Sequence, residues 1–137
     1  MAVGAGLWGE TLTFLTYLNP DESVRLDASI LGELYLQLGE AGAQNVVTRA
    51  MEDLTQRLTD ADQMYRNSDF LALRKTIRAT VAVAEQIGMG SLANRARDVV
   101  ECIDAGDPVA LAAVLARLMR TGERSLNAVC DLQGQSI

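Results

Sequence analysis

Asp69-Phe70-Leu71-Ala72-Leu73-Arg74-Lys75-Thr76-Ile77-Arg78-Ala79-Thr80-Val81-Ala82-Val83-Ala84-Glu85-Gln86-Ile87-Gly88, followed by Met89-Gly90-Ser91-Leu92, is the stretch whose reading decides the fold. Phe70, Leu73, Ile77, Thr80 or Val81, Ala84 and Ile87 recur at steps of three and four, the spacing that gathers side chains on one side of an α-helix. Arg74, Lys75, Arg78 and Glu85 fall elsewhere. One face is apolar and another is basic, so the segment is expected to be an amphipathic helix that packs on others.

The same pattern extends on both sides. Upstream, Val47, Met51, Leu54, Leu58, Ala61 and Tyr65 form the cleanest stripe in the chain and predict a helix over about Gly42 to Tyr65. Arg66-Asn67-Ser68-Asp69 then supplies a break and a new N-cap. Before it, Leu26 to Gly39 reads as a shorter helix, with Asp27 capping its first turn and Gly39 able to take a positive φ at its end. Downstream, Leu92, Ala96, Val99, Val100 and Ile103 make a further stripe. Gly106 stops it, and Asp107-Pro108 starts the next helix, because a proline at the first helical position has no N–H to leave unpaired. Leu111, Val114, Leu115, Leu118, Gly122, Leu126 and Val129 point inward from that last helix.

Short connections after Tyr65, Gly88 and Ile103 force neighbouring helices to run antiparallel. The expected fold is therefore all-α: an up-down-up-down four-helix bundle over residues 26–132, with the Asp27 helix across one end. An N-terminal extension, residues 1–25, precedes it, and a frayed C-terminus, residues 133–137, follows. Within the extension, Leu12, Phe14, Thr16 and Leu18 alternate as in a strand, while Leu7, Trp8, Leu12, Leu15 and Leu18 share a helix face. A lone strand would lack a partner in a helical chain, so a helix packed on the bundle or on a second copy is the expectation. Asn19-Pro20-Asp21-Glu22-Ser23 closes the segment as a turn.

Composition agrees. The 137 residues suffice for one core, and 49% hydrophobic with only 4% aromatic content favours helices in close contact. A formal net charge of -6 speaks against wholesale binding to nucleic-acid phosphates. Cys102 and Cys130 are too few for a metal knuckle or a disulfide framework, and imply reduced thiols. The N-terminal residues have no basic leader region, and Thr13 and Thr16 interrupt the apolar run. A cytoplasmic protein, with neither a nucleic-acid nor a membrane partner, is expected.

The central stretch also resembles the phosphoacceptor helix of histidine phosphotransfer (HPt) domains, whose pattern runs His-x-x-Lys-Gly, a small residue, Leu-Gly, and a Leu four residues later. Ile87-Gly88 lies on the Leu-Gly and Leu92 on the final Leu. Arg78 then occupies the histidine position, Val81 that of the lysine and Ala82 that of the glycine. The Leu26-Asp27 start and Leu38-Gly39 end are similar to the family's first helix. The resemblance covers about Leu26 to Val129, and implies a four-helix bundle that docks against the carboxylate-lined active site of a response-regulator receiver domain, or against a histidine kinase.

The chemistry of that family is missing, since the chain contains no histidine. Phosphorelay needs an imidazole nitrogen that forms a labile phosphoramidate. Arginine stays protonated and offers no lone pair, and phosphate esters at Thr76 or Thr80 would be too stable to exchange. Zinc and di-iron sites built on His clusters fail for the same reason. Glu52-Asp53 and Asp60-x-Asp62 lack the spacing of a calcium loop, and no glycine-rich phosphate loop is present. A non-enzyme without cofactor is expected. Its candidate partner-binding residues are Arg74, Lys75, Arg78, Val81, Ala82 and Glu85. A separate expectation, independent of phosphorelay, is a helical scaffold that forms a homodimer through its apolar N-terminal segment.

Overall fold

The computed structural model describes the backbone of residues 27–135 and the side chains of 27–131. Residues 1–25, with the expected N-terminal helix and the dimer contact drawn from it, lie outside the described residues. Four helices follow one another: α1 (Ala28–Arg66), α2 (Phe70–Gln86), α3 (Gly90–Ala105) and α4 (Pro108–Gln135). They pack as an all-α up-down-up-down bundle.

Each boundary follows from local chemistry. Asp27 caps α1 by accepting from the amides of Ser29 at 2.9 Å and Ile30 at 3.4 Å. Asp69 does the same for Ala72 at 3.2 Å, and Asp107 for Ala110 at 3.0 Å. Gly106, in the left-handed region at φ 66 and ψ 32, ends α3. The corner after α2 falls on Ile87-Gly88-Met89, two residues earlier than the Met89-Gly90-Ser91 corner expected from the sequence, because Gly90 already begins α3.

Gly39 is where α1 breaks. Its φ of 74 and ψ of 175 are non-helical, yet the chain coils again at once, so the short helix from Ala28 and the long one ending at Arg66 are two arms of a single element. The short arm starts at the α2–α3 corner, where the Asp27 amide donates to the Gly88 carbonyl at 2.7 Å. It sends Leu31 into the core.

The core is one continuous cluster, from Leu31, Val47 and Val129 at the end bearing Gly88 to Ala61, Leu73 and Leu111 at the other. Leu54, Leu73, Ile77, Leu92 and Leu118 are fully buried. Each such side chain contributes about 1.5–3 kcal/mol relative to exposure. Thr80, not Val81, is the buried member of its pair in α2, and its hydroxyl donates to the Thr76 carbonyl at 2.9 Å. Phe70 is less buried than its place on the apolar stripe implied: it sits at the first turn, 42% exposed, edge-on to Tyr65. Helix α4 extends to Gln135, although its apolar period in the sequence ends near Leu132. Its backbone bonds continue the ladder already formed upstream, and propagation is far easier than nucleation.

Candidate functional site

The exposed surface of α2 is set by the side chains its core stripe leaves over. With Leu73, Ile77, Thr80 and Ala84 buried, Leu71, Lys75, Arg78, Ala82 and Glu85 must face outward. Helix α3, antiparallel beside α2, brings its own polar edge up to theirs. Arg78, Val81, Ala82 and Glu85 thereby line an open groove of about 360 Å³ together with Arg97, Val100 and Glu101. Four of the six residues expected to form the site meet there.

Arg74 and Lys75 lie one turn toward the start of α2, where with Leu71 and Arg78 they border a second depression. Arg74 is not a free cation. Its Nε donates to Asp104 Oδ1 at 2.7 Å and its Nη2 to Oδ2 at 3.1 Å, a two-pronged pair between α2 and α3. The hydrogen bond from Arg74 holds the Asp104 carboxyl below its ordinary pKa; desolvation opposes it, and the charges of Arg74 and Arg78 add smaller effects in the lowering direction. The three-cation flank expected on α2 is therefore reduced to two. Lys75 and Arg78 are exposed, and among the described residues neither has an ion pair within 4.0 Å.

At the other end of the groove Glu85 is engaged by the Arg97 guanidinium, which also donates to Asn94 at 2.8 Å. Val81 is half-buried and rests on the core, while Ala82 is exposed and leaves the middle of the groove shallow. The result is a strip with a small apolar floor, a paired carboxylate at one end and an unpaired guanidinium at the other. It can hold a carboxylate or a carboxylate cluster electrostatically.

Arg97, Val100, Glu101 and Asp104 were not among the expected site residues. Arg97, Glu101 and Asp104 recur at steps of four and three away from the Leu92, Ala96 and Val99 stripe, so the sequence marks them as an outer edge of α3, whereas Val100, expected on the stripe, is half-buried at its margin. Which neighbour that edge meets depends on helix pairing. Among the described residues no three His, Cys, Asp or Glu side chains are gathered so as to hold a metal ion. No helix among them is long and apolar enough to cross a membrane. No protein-family model, no curated protein and no solved structure matches the chain.

Proposed function

We propose that the chain is a non-catalytic HPt-like signalling module that binds a response-regulator receiver domain, or a histidine kinase, without carrying phosphate. The observation that carries this reading is Arg78. It stands exposed at the position the resemblance assigns to the phosphoacceptor histidine, beside the small Ala82, with no ion pair of its own among the described residues. A fixed cation there faces outward, where the carboxylates of a receiver active site would dock, and a chain without histidine has no ring nitrogen to phosphorylate.

The test is binding of purified protein to the receiver domains of its own organism, with Arg78→Ala and Arg78→Glu alongside. Arg78→Glu is expected to weaken the complex by about tenfold or more, since it sets like charges against each other. Unchanged affinity would remove Arg78 from the mechanism, and failure to bind any receiver or kinase would remove the reading. Acid-labile phosphate on the wild-type chain would contradict the non-catalytic part.

A second reading, a self-associating helical scaffold, draws on Leu36, Leu71 and Val109, which are 89%, 84% and 81% exposed. Sedimentation of the full-length chain separates the two, because a monomer at every concentration leaves no place for self-association.

A further inference from the structure

We infer that the groove between α1 and α4 is a docking site for a basic amphipathic helix of another protein, with apolar side chains along one face and Lys or Arg beside them. This site is on a different pair of helices from Arg78 and does not depend on the receiver-binding reading.

The groove has a structural cause. The two helices are in close contact at Gly122, where an added Cβ would sit 2.6 Å from Leu58 Cδ1. Over their whole length, α1 and α4 touch less extensively than the other pairs of bundle neighbours. An opening of about 670 Å³ remains between Thr48–Gln56 on one side and Glu123–Cys130 on the other. Eight residues of helix at about 1.5 Å each make it about 12 Å long, which accommodates two turns of a third helix.

Its chemistry selects the occupant. Met51 and Leu126 are half-buried and give it an apolar floor, as a helix-in-groove interface requires. The Thr55 hydroxyl is already satisfied by the Met51 carbonyl at 2.8 Å, so that wall asks for no polar partner there. Glu52 and Glu123, both exposed, are the charged residues that line the groove, one on each helix. Two carboxylates flanking an apolar floor match a helix whose apolar stripe is bordered by cations. A second copy of this groove would bring carboxylates against carboxylates. The chain's own apolar stretch Leu7–Leu18 carries Glu10 and no Lys or Arg, so it lacks the complementary charge as well.

Cys130, exposed at the groove, provides the reporter. In full-length protein carrying Cys102→Ala, the rate of Cys130 modification by N-ethylmaleimide is measured with a synthetic helical peptide that has Leu at steps of three and four and Lys elsewhere. A second peptide replaces every Lys by Glu. The Lys peptide is expected to slow modification at least about fivefold and the Glu peptide to leave it unchanged. Glu52→Lys with Glu123→Lys should require about tenfold more Lys peptide for the same protection. Glu33→Lys with Glu40→Lys, an equal change of net charge outside the groove, should not. Equal protection in both double variants would reduce the effect to the overall acidity of the chain and overturn the inference, as would protection by the Glu peptide or none by the Lys peptide. Cys130 already shielded without peptide would also overturn it. Shielding that grows with protein concentration would give the groove to a second copy, and shielding independent of concentration to the chain's own N-terminal residues.

Discussion

The amide of Asp27 donates to the carbonyl of Gly88 at 2.7 Å, tying the start of the first helix to the corner between the second and third. Gly88 is held there on two counts. Its φ is +75, and a Cβ would lie 2.9 Å from the Asp27 carbonyl oxygen and 3.2 Å from its amide nitrogen, both backbone atoms that cannot swing aside. Gly88→Ala is therefore expected to lower stability by about 2 kcal/mol or more, the positive φ alone costing about 1–2 kcal/mol. Denaturant unfolding measures the loss. Hydrogen exchange should show the short arm of α1 opening first, and a variant as stable as wild type would mean that the corner relaxes freely.

Asp104 and Arg74 give a pH dependence with a definite sign. The Arg74 hydrogen bond depresses the Asp104 pKa in the folded state. Its contribution is therefore present above the unfolded value, about 3.9, and disappears as pH falls through the lower folded value. The stability difference between wild type and Asp104→Asn should be visible near neutral pH and vanish toward pH 2. Because the pair is exposed, salt should shrink it. A difference that persisted in acid would assign the effect to something other than this ion pair.

Arg78→Ala should change stability by less than about 0.5 kcal/mol, because the side chain is exposed and supports no ion pair within 4.0 Å among the described residues. Thermal unfolding beside a binding assay therefore separates docking from folding at this residue. A large drop in Tm would assign Arg78 to the fold and weaken its use as a docking cation.

Arg95 predicts an effect in the opposite direction. Its Nε is buried without a hydrogen-bond partner among the described residues, and its terminal nitrogen reaches Asp98 only at 3.4 Å. An unmatched buried donor costs more than a surface pair returns. Arg95→Met, which keeps the length of the side chain, should leave stability unchanged or raise it by up to about 1 kcal/mol. Calorimetry showing a loss above that would mean that the guanidinium makes a bond this geometry lacks.

Leu73, Ile77, Ala84, Leu54, Leu58 and Ala61 were legible as core because a helix repeats its faces at a fixed period, and the period is written in the order of residue types. Asp27, Asp69 and Asp107 were legible as caps because an N-cap acts within three residues of itself. The absence of histidine is likewise a property of the sequence alone. The neutralisation of Arg74 was not, since Asp104 lies thirty positions away on another helix. Nor was the groove of Arg78 with Arg97, Val100 and Glu101, or the opening beside Gly122. Local periodicity fixes which side of a helix is apolar, but the rotation and crossing of two helices arise from how their side chains interlock, and only the packed bundle decides which outer edges meet.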